Sequence, residues 1–204
     1  MQRPLKPLPR SFYVPSANVV ASELLGHFLV RNEACGISGG TIVETEAYLA
    51  DDPACHSFGG ETARNRSMFG PPGHAYVYLI YGYHYCVNAV CRPTGYGEAV
   101  LIRAIAAEFG EEAMRKRRAV AKKEELTKGP AKLCEALGID RKLDGVDLCV
   151  PASPLFIAEN PGRYKLLAGS GPITADRRIG ITKAADLALR FYLAGSPFVS
   201  RRKR

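Results

Sequence analysis

The stretch HFLVRNEACGISGGTIVETEAY, residues His27–Tyr48, carries the reading on which the fold turns. Its ends, HFLVRNE and GGTIVETEAY, are rich in apolar and β-branched residues, and the turn-forming ACGISGG lies between them. That is the pattern of two adjacent strands joined by a turn. The second strand is unusual in carrying glutamates at 44 and 46. Alternation along a strand puts Ile42, Glu44, Glu46 and Tyr48 on one face and Val43, Thr45 and Ala47 on the other. Same-face neighbours lie roughly 6.5–7 Å apart, near the separation at which two carboxylates flank a sugar C1 with room for a water. Either the glutamates form a wetted strand face, or they look into a cleft beside a phenol. Spacing alone favours the wetted face.

Upstream, SANVVASELLGHFLV reads as a helix with Ser16 at its N-cap, ending near Gly26. Downstream, residues 49–73 are loop-like and long for a structureless connection, which points to a functional loop. HAYVYLIYGYHYCVNAVC (His74–Cys91) reads as a hairpin with Tyr81 and Gly82 near its tip. GEAVLIRAI is a further strand. EEAMRKRRAVAKKEEL (Glu111–Leu126) reads as one helix, and GPAKLCEALGI as another with Pro130 in its first turn. The remainder, including YKLLAGSGPITAD, reads as short strands between Pro/Gly turns. These elements make an α+β protein with a mainly antiparallel sheet.

The formal net charge of +8 suits a polyanionic partner. It is concentrated in RKRRAVAKK (Arg115–Lys123) and the C-terminal RRKR, each of which reads equally well as a solvated helix face or tail. No run of 18 apolar residues is present to span a membrane, and MQRPLKPLPRSFYVP lacks the apolar core of a secretion signal. The six cysteines include no CxxC pair and suit reduced, buried thiols of an intracellular protein. Cys55, His56, His84 and Cys86 lack the usual zinc-ligand spacing, so no metal is expected.

The hairpin bears on the glutamates. Tyr76, Tyr78, Tyr81, Tyr83 and Tyr85 place five phenols in ten residues. Tyr76 and Tyr78 share a face, and a tyrosine beside a glycine at a hairpin tip has little core to bury it. Such a residue is suited to stacking on bases or wedging between them. TARNRSMF supplies Arg64 and Arg66, while TKGPAKL places Lys128 and Lys132 at a helix start, where cations and free N–H groups suit phosphate. Together these features favour a nucleic-acid enzyme. A noncatalytic nucleic-acid-binding module and a hydrolase of free nucleosides stand as alternatives.

VETEAYLADDPACHSFGGETARNRSMF, AYVYLIYGYHYCVN, AVLIRA, KGPAKLCEALGI and LRFYLAGSPFVS together resemble the alkyladenine (3-methyladenine) DNA glycosylase family in its bacterial form. The resemblance runs from about Leu24 to Ser200 and is thinnest over Asp140–Pro172. It implies a monofunctional base-excision repair hydrolase that flips alkylated or deaminated purines from duplex DNA and cleaves the N-glycosidic bond without metal or cofactor. Carried over, Glu46 is the general base and Arg103 fixes it. Tyr48, His56, Tyr78 and Asn88 line the base pocket, and Tyr81 fills the gap in the stack. Glu44 receives no catalytic role and is expected to support its neighbour. Residues and resemblance together imply a single domain over residues 1–204, a curved sheet with surrounding helices and a protruding hairpin. An N-terminal arm would cover 1–13 and a basic tail 201–204. The implied enzyme is a cytoplasmic, nucleoid-associated monomer.

Overall fold

A computed structural model describes residues 5–200, so the RRKR tail and the first four residues of the arm lie outside the described residues. The strands are β1 (Phe28–Glu33), β2 (Gly36–Tyr48), β3 (Ala75–Ile80), β4 (His84–Cys91), β5 (Glu98–Phe109), β6 (Leu155–Ala158), β7 (Ile173–Asp176) and β8 (Arg190–Leu193). The helices are α1 (Ala17–Leu24), α2 (Glu111–Arg117), α3 (Pro130–Leu137) and α4 (Arg163–Gly169). The strands form one curled sheet in the order β3-β4-β5-β2-β1-β6, with β8 bonded to β2 and β7, and each pairing is antiparallel. The architecture is α+β, as the residue patterns imply.

Strand β2 is the spine. Its first half pairs with β1, its second half with β8, and β5 runs along its other edge. Helix α1 packs on β2 and β5, and α3 on β4 and β5. Thr45 Oγ1 donates to Ala21 O at 2.8 Å, so one face of β2 is closed by α1. Register shifts flank Glu44 in the β2–β5 ladder, and bulges of this kind bend and twist a sheet. They also interrupt the expected parity. Ile42 does not stand with the glutamates; it lies with Val43 and Ala47 in the main apolar core.

The expected turn is shorter than ACGISGG, because β2 already begins at Gly36. Gly39 and Gly40 are strand residues held against their neighbours' backbones. A Cβ on Gly40 would stand 1.8 Å from Ala106 O, and one on Gly39 2.1 Å from Leu29 O. Only glycine permits that approach.

Three further expectations are corrected. Ser16 stands at the N-cap position of α1 but does not cap it; Ser16 Oγ and Ala17 N both donate to Glu98 Oε2 at 2.9 Å. A carboxylate from β5 thus meets the positive end of α1. The helix expected over Glu111–Leu126 stops at Arg117. Arg118 turns extended, and its guanidinium donates to Glu125 O at 2.6 Å and Leu126 O at 2.7 Å, folding the following segment back on itself. YKLLAG, expected as strand, belongs to α4. Its good helix formers follow a Pro–Gly start, and Arg163 ties it down by donating to Leu25 O at 2.8 Å.

The arm is packed against the body from Leu5 onward. Leu8 and Tyr13 are buried, and Arg10 pairs with Asp147 at 2.5 Å. All six cysteines are free thiols; four are buried, whereas Cys35 is exposed and Cys149 half-buried. Among the described residues no helix is long and apolar enough to cross a membrane.

Gly40→Ala is expected to lower unfolding stability by about 3 kcal/mol through backbone overlap. Gly59→Ala, whose Cβ meets nothing within 4 Å, should be nearly neutral. Urea denaturation midpoints at unchanged slope measure both.

Candidate active site

The two glutamates are not a wetted face: each is 0% exposed. Arg103, projecting from β5, stands between them, with Nε 3.1 Å from Glu44 Oε1 and a terminal nitrogen 3.1 Å from Glu46 Oε1. Beyond this shared guanidinium the two carboxylates differ. Glu44 also accepts from Arg190 Nε at 2.7 Å, Ser200 N at 2.7 Å and Ser200 Oγ at 2.8 Å. Its Oε1 accepts from three donors and its Oε2 from one. Glu46 Oε1 accepts from Ile179 N at 2.8 Å, while Oε2 accepts only from Tyr48 Oη at 3.0 Å. A carboxylate oxygen has two lone-pair positions, so Oε2 retains one.

Tyr48, Arg103 and Ile179, the three residues holding Glu46, also line a cleft of about 420 Å³. Glu46 sits directly behind them. The volume falls within the range of small-molecule sites. Across the cleft are His56, Tyr76 and Tyr78. The two phenol rings lie 5.4 Å apart, and His56 packs edge-on to Tyr78 at 4.6 Å. His56 Nδ1 and Tyr76 Oη are 2.9 Å apart. Asn88 also reaches the lining, its amide nitrogen donating to Tyr76 O at 2.9 Å.

Burial sets the protonation of these groups. Burial first, then the charge and hydrogen bond of Glu46, push the Tyr48 hydroxyl far up, which keeps it a neutral donor. Burial likewise raises Tyr78, and raises Tyr76 to about 12. Burial and then the Arg64 charge lower His56. For Arg103, burial works downward, but Glu46 and Glu44 outweigh it and raise the guanidinium above its usual value.

Tyr81 stands at the hairpin tip, 73% exposed, with φ +53 next to Gly82 at φ +79. It lines the mouth of the cleft. Positive φ at a bulky residue is costly and uncommon, so the turn presents this ring outward in one defined conformation. Arg64 reaches Leu79 O at 3.4 Å, and Arg66 is exposed near Glu61. Lys128 and Lys132 both face Glu125, at 3.7 and 2.7 Å, beside the start of α3 whose Pro130 and Ala131 line the cleft.

Four residues outside the sequence-based set complete the site. Asn65 is buried; its amide donates to His56 O at 2.8 Å and Gly60 O at 3.0 Å while accepting from Thr62. It staples the loop that presents His56. Asp52 and Arg178 form a buried ion pair beneath Tyr48. Ile179 contributes through its backbone N–H, which no side-chain pattern reveals. Asn65 stood in the sequence as the residue between two arginines, and Asp52 as part of an acidic loop.

The cleft thus combines a buried carboxylate behind it, aromatic walls and an exposed tyrosine at its rim. Comparison with known proteins gives the family. The methylpurine-DNA glycosylase family profile matches residues 11–197. A protein of Rhizobium meliloti named "Putative 3-methyladenine DNA glycosylase" is 51% identical over 94% of this chain and 95% of its own length. Proteins with the same name from Methanoculleus marisnigri and Carboxydothermus hydrogenoformans are 49% and 45% identical, each over 96% of this chain and 99% of the relative. The chain belongs to the methylpurine-DNA glycosylase family, and is thus a DNA N-glycosylase, a hydrolase of DNA repair.

Because burial and Arg64 hold His56 below 6.5, its neutral ring contributes stability fully above that pH and loses it as pH falls through the lowered folded value. An NMR titration of wild type should place His56 below 6.5, and Arg64→Gln should move it upward.

Proposed function

We propose that the chain is a monofunctional glycosylase that takes alkylated purines, and deaminated ones as a second class, out of duplex DNA and hydrolyses the N-glycosidic bond. The observation that carries this reading is Glu46 Oε2, which accepts a single hydrogen bond in a carboxylate held by Tyr48, Ile179 and Arg103, three residues of the cleft lining. A water bound there loses its proton to Glu46 as it attacks the sugar C1, and the carboxylate charge offsets the positive charge developing on the sugar. Proximity supplies much of the rate, since the water needs no further ordering.

A 3- or 7-methylated purine carries positive charge and is a labile leaving group. Stacking on Tyr48 and Tyr78 favours a cationic ring. Such a base also unstacks more readily, which adds selectivity before chemistry. Tyr81 occupies the gap left in the duplex. Asn88 crowds the exocyclic amine of guanine, and Arg64, Arg66, Lys128 and Lys132 meet phosphates. The proposed acting unit is a monomer, and its proposed place of action is the nucleoid in the cytoplasm.

The test is release of 3-methyladenine from methylated duplex DNA under single-turnover conditions, for wild type and Glu46→Gln. Wild type should release the base. Glu46→Gln should be at least ~100-fold slower with binding of the lesion duplex retained. Equal rates would sink the assignment of Glu46.

A further inference from the structure

We propose that Asp52 and Arg178 are a positioning pair for base excision, fixing at once the Tyr48 ring and the Ile179 N–H that hold Glu46. The inference rests on the glycosylase reading above.

The two residues are 126 positions apart in the chain, and their side chains are 1% and 0% exposed. Asp52 lies in the loop leaving β2, and its Oδ1 accepts from Ala54 N at 2.9 Å, ordering the turn toward His56. Arg178 lies in the strap between β7 and β8. It pairs with Asp52 Oδ2 and donates to Ala47 O at 3.0 Å, so the strap is pinned to the end of β2. Arg178 Nε has no hydrogen-bond partner, and the guanidinium carbon lies 4.7 Å from the Tyr48 ring centroid. The plane of the cation therefore serves as a floor for the phenol.

Glu46 accepts two hydrogen bonds, and Arg178 stands behind both. One comes from Tyr48, whose ring rests on the Arg178 guanidinium. The other comes from Ile179, the next residue in the chain, which lines the cleft together with Gly180 and Ile181. A buried ion pair gives little net stability compared with apolar residues of the same shape. The pair's geometry accounts for it better than stability does, because its contacts converge on the donors of one carboxylate. Neither residue touches the water or the base. Their effect passes through Tyr48 and Ile179, and displacing those donors by about 1 Å is enough to cost up to ~100-fold in rate.

The experiment compares wild type, Arg178→Met, Arg178→Lys and the double variant Asp52→Asn/Arg178→Met. For each, single-turnover excision of 3-methyladenine, affinity for undamaged duplex and Tm are measured. Arg178→Met should slow excision by ~10- to 100-fold with duplex affinity unchanged, and should lower Tm because Asp52 is left buried and unpaired. The double variant removes that unpaired charge, so Tm should recover while the rate stays low. Arg178→Lys keeps the charge without the planar face and should recover part of the rate. A rate that returns with Tm in the double variant would overturn the proposal, as would wild-type excision by Arg178→Met. Glu46→Gln serves as the inactive reference. Wild type releasing no base would overturn the glycosylase reading and this inference with it, whereas an active wild type with an unaffected Arg178→Met overturns the inference alone.

Discussion

The structure depends on one guanidinium placed between two carboxylates inside a strand that has no wet face. Glu44 and Glu46 are both wholly buried, and Arg103 touches both. Removing charges from water costs several kcal/mol each unless partners and hydrogen bonds offset it. Much of the topology answers that cost. β5 runs beside β2 and supplies Arg103; β8 pairs with the second half of β2 and supplies Arg190; Ser200, near the end of the described chain, returns to Glu44. Glu44, Glu46, Arg103 and Arg190 form one buried ion cluster, and the Asp52–Arg178 pair reaches it through Tyr48.

The network also separates two chemically identical side chains. Glu44 is held by Arg103, Arg190 and Ser200. Glu46 receives fewer donors, and each residue that holds it lines the cleft. Tyr48 belongs to both structures at once. Its hydroxyl holds Glu46 and its ring forms part of the cleft wall, which couples the position of the carboxylate to that of the wall.

How far the residues alone led follows from the range of each interaction. Period-2 alternation grouped Glu44, Glu46 and Tyr48 but wrongly added Ile42, because register shifts flank Glu44, while Tyr81 next to Gly82 gave the hairpin tip. Burial of the glutamates was not readable, since it depends on β8, Ser200 and the segment carrying Ile179 closing over β2. Asp52 and Arg178 were missed because nothing local links positions so distant in the chain. Ile179 acts through its backbone, so its side chain gives no sign of the role. The end of α2 at Arg117 was missed because Arg118 is drawn to carbonyls of Glu125 and Leu126, a tertiary preference that overrides a helical charge pattern.

In the proposed mechanism Arg103 acts by holding Glu46. A double-mutant cycle on single-turnover excision tests this most directly, with Arg103→Met, Glu46→Gln and the two combined. Arg103→Met should slow excision strongly in the wild-type background and add no further loss once Glu46 is replaced. Losses that simply multiply in the double variant would show that Arg103 acts apart from Glu46.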